Sequence, residues 1–183
     1  LRPGTGTARG EFDGMSGNGT VYHEALTSHR TTALFATLAI LFLALFAWRF
    51  AGGGFGPWAI VWLCLAGVFL FYTVNYRSLS IRISAAEVNL AFGIFRTTLR
   101  VEHIASWSVD RASLWRISGA GIHFTFIAKR YRMYLNFLEH PRIVLALRQR
   151  KGPVREVAFS TRAPGAVMQA LVTVCPATTT PVQ

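Results

Sequence analysis

Charge is nearly missing from the stretch between Thr31 and Asn75, where Arg49 is the one charged residue among 45. Two runs within it, Thr31–Trp48 and Pro57–Val74, carry none at all. Each is close to the roughly 17–25 residues that a helix needs to cross a hydrocarbon core about 30 Å thick. Neither run has an acid, a histidine or an arginine at its middle. That absence excludes the midplane groups on which ion coupling, proton relay and intramembrane hydrolysis depend. Two helices also cannot enclose a transport path, so the pair reads as an anchor and a packing surface.

Acidic residues are the second scarcity, with 8 Asp and Glu against 19 Lys and Arg. Up to Arg30 the charges cancel, Arg2, Arg9 and Arg30 against Glu11, Asp13 and Glu24. After Asn75 there are 15 basic and 5 acidic groups, so the excess belongs to the C-terminal part. Such a surface attracts an anionic leaflet, at about 1 kcal/mol per well-placed Lys or Arg. Nucleic acid would be attracted as well, but a chain tethered to a bilayer meets lipid headgroups or an acidic partner first, and nucleic acid is not an expected partner.

Residues that carry chemistry are sparse. Cys64 lies in the second apolar run and Cys175 near the C-terminal end, at different depths, so no disulfide is expected. His23, His29, His103, His123 and His140 belong to no HExxH or paired-Cys pattern, and no metal is expected. The glycines of Ser118-Gly119-Ala120-Gly121 fit neither the dinucleotide nor the phosphate-loop spacing. Ser118 and Ser160 lack a nucleophile-elbow context. Glu102, Asp110, Glu139 and Glu156 are scattered, with nothing to mark one as an acid or base. The expectation is a non-catalytic protein without a cofactor.

What is present organises around the apolar stretch. The patch Arg49–Pro57, rich in glycine, suits a turn between two crossings. Arg30, Arg77 and Arg82 flank the outer ends while the turn offers only Arg49, so the positive-inside tendency puts both termini in the cytoplasm. The expected location is an inner or plasma membrane, crossed twice. Trp48, Arg49 and Trp58 near the turn, and Tyr72 and Tyr76 at the other end, stand where interface anchors would. Ala33, Ala36, Ala39, Ala44, Ala59, Ala66 and Gly67 permit close helix approach. The first span follows a polar leader and precedes a second span, unlike a cleaved signal.

The chain divides into a polar segment (1–30), the hairpin (31–75), a folded domain (76–175) and a tail (176–183). Leu1–Asn18 is too rich in small polar residues to build a core. Asn18-Gly19-Thr20 has the form of a glycosylation acceptor, but a cytoplasmic position favours a plain turn. Val21–His29 reads as a short interfacial helix or a lead-in segment. Beyond Asn75, alternation marks strands at Leu79-Ile81-Ile83, at Val88-Leu90-Phe92, from Ile94 to Val101 with Gly93 as a bend, and at Ile104–Val109. Short connections favour antiparallel pairing. Phe124 and Phe126 alternate about Thr125, and Lys129-Arg130-Tyr131-Arg132 then sets three cations around an aromatic. Either Tyr131 lies at a membrane or partner interface with the cations on phosphates or acids, or it packs inward; all three cations are expected at the surface. Asn136–Pro141 reads as an irregular insertion whose Phe137 and Leu138 could dip into a partner or bilayer. Arg142–Leu147 suits a strand or a short helix, and Val154–Phe159 a last strand. Val167, Met168, Leu171 and Val174 mark a C-terminal helix, with Ser160 or Thr161 as cap and Pro164 in its first turn.

This order resembles bacterial PH-like domains attached to paired membrane helices. The resemblance spans Tyr76–Val174 and rests on Ile81-Arg82-Ile83, Gly93-Ile94-Phe95-Arg96, Val101–Ile104 and Val157-Ala158-Phe159-Ser160-Thr161-Arg162-Ala163-Pro164. It implies a curved sheet of about seven strands capped by the last helix, and it carries no catalytic constellation or headgroup motif. The expected fold is therefore α+β: a transmembrane helical hairpin followed by an antiparallel β PH-like domain with a C-terminal helix. The expected function is a structural or accessory subunit that binds integral-membrane protein subunits, an energy-converting complex being one such assembly. A membrane adaptor that binds anionic phospholipid is the alternative.

Overall fold

The computed structural model describes residues 19–113, 117, 119–127 and 130–175. Lys129, Ser118, Trp115, Asn18 with the rest of 1–18, and the tail 176–183 lie outside the described residues.

Strand β1 (Thr20–Thr27) leads into helix α1 (His29–Gly53); α2 (Pro57–Asn75) returns, and β2 (Ser78–Ser84) follows. β1 and β2 are antiparallel neighbours paired as far as Thr27 opposite Ser78, and the Ser28 N–H donates to the Arg77 carbonyl at 3.4 Å. The helical hairpin is thus the continuation of a strand ladder, two strands becoming two helices at one level. Val21–His29 is accordingly neither an interfacial helix nor a lead-in: it is mostly strand, with Leu26 fully buried and Tyr22 nearly so. Ser28 makes the change of backbone possible, because its Oγ accepts the Thr31 N–H at 3.0 Å and caps α1. Gly54, at φ 68°, ends α1, and Pro57 opens α2. The turn is therefore shorter than the Arg49–Pro57 patch, and Arg49 lies within α1, ahead of its last turn.

Both helices are long and apolar enough to cross a membrane, and only 11 % of the most apolar 18-residue window of each is buried within the chain. Ala39, Ala59 and Ala66 are buried, small residues that let the two backbones come close, and Phe35 is buried against Phe69, Tyr72 and Tyr76; Ala33, Ala44 and Gly67 are exposed instead.

Strands β3 (Glu87–Phe92) and β4 (Phe95–Arg100) complete a first sheet in the order β1-β2-β3-β4. Strands β5 (Ile104–Val109), β6 (Gly121–Ile127), β7 (Arg130–Asn136), β8 (Arg142–Lys151) and β9 (Val154–Ser160) form a second, in the order β5-β8-β9-β7-β6. The described strands thus make two sheets of four and five, where the resemblance implied one of about seven. One pair departs from the antiparallel expectation: β9 folds back from β8 into the slot beside β7 and pairs with it in parallel. Helix α3 (Pro164–Val174) packs on β1, β2 and β5.

The core lies between the sheets. The alternating residues Leu79, Ile81 and Ile83 and Val88, Leu90 and Phe92 meet Leu135, Ile143, Leu145, Val157 and Phe159, with Val167, Ala170 and Leu171 of α3 closing one side. Each large side chain removed from water contributes roughly 1.5–3 kcal/mol before entropy is counted. Phe137 belongs to this core, fully buried with its ring 5.1 Å from Phe92, and does not reach outward. Tyr76 is likewise buried, stacked on Tyr72 at 4.9 Å and set against Phe92 at 5.1 Å. It joins hairpin to sheet and is not an exposed interface anchor. Thr161 and not Ser160 serves the start of α3, its Oγ1 accepting the N–H of the cap residue Ala163 at 3.1 Å.

Candidate functional site

The basic-aromatic cluster on β7 is split by the pleat of its strand. Arg132, Tyr134 and Asn136 alternate with Tyr131, Met133 and Leu135, and the two sets leave opposite faces of the second sheet. Arg132, expected at the surface, is 9 % exposed. Its guanidinium donates to Glu156 Oε2 at 2.7 Å, to Asp110 Oδ1 at 3.0 Å and to the Tyr134 hydroxyl at 2.9 Å. Arg142 donates to Asp110 Oδ2 at 2.9 Å and to the Ala112 carbonyl, and Arg130 to Glu156 Oε1 at 3.0 Å. Burial works against the Arg132 charge, but Glu156 and the Tyr134 hydroxyl outweigh it and hold the pKa above its ordinary value. Tyr134 is held protonated, chiefly by burial.

This network uses both oxygens of Asp110 and of Glu156 as acceptors for guanidinium groups. A proton-accepting role for either carboxylate would require breaking a buried ion pair. The chemistry available here is structural: it holds Asp110 and Ala112, just after β5, against the second sheet, on which Tyr134, Val144, Ala158 and Ile117 form a smaller core. Spacing could not reveal it, because the partners lie 22 to 32 residues apart. One signal was present. A β7 strand with Tyr134 on the same side as Arg132 and Asn136 has no water-facing side, and cations on such a strand need buried acids.

Tyr131 leaves by the other face, half-buried, its ring 5.7 Å from Phe124 and nearly parallel to it, and 4.9 Å from Phe126. Phe124 is 50 % exposed and Phe126 72 %, although both stand on the side that the core occupies further along the sheet. The first sheet does not reach far enough to cover them. Phe124 and Tyr131, with Thr97, Met133, Pro153, Val154 and Val157, line an apolar groove of about 340 Å³; Phe126 stands next to it against Tyr131, on the edge of β6 that is left unpaired among the described residues. Gly121, at the start of β6, meets the Tyr76 ring, a Cβ there coming within 3.0 Å of it. At about 3.3 Å per residue, Phe124 stands about 10 Å and Phe126 about 17 Å along the strand from that junction. Arg130, paired with Ile127, lies at the same far end with its side chain 57 % exposed.

The remaining expected site residues fall on the hairpin. Trp48 and Trp58 are 74 % and 63 % exposed near the helical turn, and Arg49 is exposed beside them. Tyr72 is half-buried against Phe35, Phe69 and Tyr76. Among the described residues no group of His, Cys, Asp and Glu is gathered that could hold a metal ion. No family model matches the chain, and a search of curated proteins finds no match.

Proposed function

We propose that this chain is a non-catalytic accessory subunit, anchored by α1 and α2 crossing a membrane, which binds a larger integral-membrane protein complex through the aromatic groove at β6. In this reading the β-rich part is a PH-like domain used for protein contact, with the cytoplasm on its side of the bilayer. The observation that carries the proposal is the pairing of two exposed apolar surfaces on one chain: the outward sides of the hairpin and, beyond its base, Phe124 and Phe126 on a strand edge left unpaired among the described residues. The first needs lipid, as a helix apolar on its outward side does. The second offers apolar side chains and, among the described residues, an edge with no strand paired to it, the combination that strand addition to a sheet edge uses. Tethering in the same membrane raises the effective concentration of a partner, so a groove this small suffices.

The lipid-adaptor alternative is less well supported at this cluster. Arg132 is committed to Glu156 and Asp110, and Arg130 shares Glu156, so acids of the chain itself already meet these cations. The test is a photo-crosslinking residue in place of Phe126 in native membranes. Adducts with an integral-membrane polypeptide are expected, and Phe126→Glu should lose co-purification in mild detergent while the chain stays in the membrane fraction. Recovery of the unaltered chain alone, with no adduct at position 126, would overturn the proposal.

A further inference from the structure

We infer that the β3–β4 turn is a second membrane contact, with Ile94 and Phe95 entering the interfacial layer beside the hairpin while Arg77 and Arg96 meet anionic phospholipid headgroups. This rests on the reading of α1 and α2 as crossing helices. Register places the turn. Only Tyr76 and Arg77 separate the end of α2 from the start of β2, Leu79 pairs with Phe92, and the Gly93 N–H donates to the Ser78 carbonyl at 3.2 Å. Ile94 and Phe95 therefore stand level with the last residues of α2, where helix gives way to sheet.

Gly93 fixes the turn there. It adopts φ +59°, and a Cβ on it would stand 2.1 Å from the Asn75 carbonyl oxygen, so the turn backbone lies directly on the end of α2. Its side chains are unusual for such a place. A tight strand connection is ordinarily polar, yet Ile94 is 66 % and Phe95 44 % exposed, next to a fully buried Phe92. The apolar surface is continuous in level with that of the hairpin, whose Leu70, Phe71 and Val74 are 59 %, 42 % and 66 % exposed just before Asn75. Arg77 and Arg96 are both exposed. Apolar side chains flanked by cations at the base of crossing helices match the chemistry of an anionic bilayer surface; a second copy of this basic chain would bring cations against cations.

The test uses the full chain, with Cys64→Ser and Cys175→Ser, in vesicles of phosphatidylcholine alone or with phosphatidylglycerol. Nitroxide labels are placed singly by Leu70→Cys, Ile94→Cys and Asn89→Cys, and their collisions with oxygen and with a water-soluble nickel complex are compared. The expected result is a label at 70 in lipid, one at 89 in water, and one at 94 at interfacial depth that shifts outward with Arg77→Gln plus Arg96→Gln in the anionic vesicles. A water-exposed label at 94 with the label at 70 in lipid overturns this inference and leaves the hairpin reading standing. Labels at both 70 and 94 in water overturn both. Spin–spin broadening at 94 without lipid contact assigns the turn to a second copy and also overturns the inference.

Discussion

At the scale of single residues, the least replaceable side chains are those whose charge or shape is fixed by partners far away in the chain. Arg132 holds Glu156 and Asp110 in a setting closed to water. Its truncation leaves each buried carboxylate with one guanidinium in place of two, so Arg132→Ala should cost up to about 3–5 kcal/mol, read as a lowered thermal midpoint in mild detergent. Gly93 and Gly152 both adopt positive φ, but only Gly93 has backbone where a Cβ would go. Gly152→Ala should lose about 1–2 kcal/mol from the left-handed backbone alone, and Gly93→Ala clearly more in the same melting experiment. His123 stacks on Tyr134 at 5.1 Å, and burial first, then the Arg142 charge, hold its pKa below the ordinary value. His140 is held low by burial as well. The unfolded chain takes up these protons near pH 6.5, before the folded one does. Stability contributed by the neutral rings is thus complete at neutral pH and falls as pH drops through about 6.5. His123→Phe, which keeps the stack and removes the proton site, should flatten that decline in denaturant midpoints measured from pH 7.5 to pH 5.5.

Elements show where sequence was legible and where it was not. β2 and β3 announce themselves, because Leu79, Ile81, Ile83, Val88, Leu90 and Phe92 alternate with polar or small neighbours and only one side of the first sheet is buried. β1 alternates too, but its inward positions are Tyr22, Glu24 and Leu26, and a carboxylate breaks the apolar signal. Glu24 is tolerated because Tyr22 and Thr161 hydroxyls and the Arg162 N–H all donate to it, at 2.9, 2.6 and 2.9 Å. Those donors lie as far as 138 residues away in sequence, so no local pattern could announce them. Leu26→Ala should destabilise the whole fold by about 2–5 kcal/mol, since β1 is an integral strand and not a leader; an unchanged midpoint would argue that β1 is peripheral. At β6 and β7 the residue types were readable, but not which face each would take. Tyr131 turned to the aromatic groove and Arg132 to the buried acids, because successive residues of a strand leave opposite faces. Phe126→Ser should leave the melting midpoint within about 0.5 kcal/mol, as exposed positions do, in contrast to Phe137→Ala at about 3–5 kcal/mol.

On the scale of the whole molecule, the strand ladder and the helical hairpin are continuous. β1 and β2 carry the register out of the sheet core through Ser28 and Arg77 into α1 and α2, and the rings of Phe69, Tyr72, Tyr76, Phe92 and Phe137 run across the same junction at spacings of 4.9 to 6.0 Å. The hairpin is therefore not hung on a linker. Its base is tied to the sheets by these contacts. The two apolar helices were the most legible feature of the sequence, because a long uncharged run is read from composition alone. Their rigid seating was not, because it rests on Gly93 against Asn75 and Gly121 against Tyr76, contacts that spacing does not encode.

Side-specific cysteine labelling in intact cells tests the central claim most directly, using the native Cys64 together with Phe55→Cys at the helical turn and Arg82→Cys on β2. With Cys64 in the hydrocarbon layer, a water-soluble maleimide should leave it unmodified until denaturation, while positions 55 and 82 are modified from opposite sides of the membrane. Ready modification of Cys64 in the native state, with positions 55 and 82 reached from the same side, would contradict the crossing hairpin and everything built upon it.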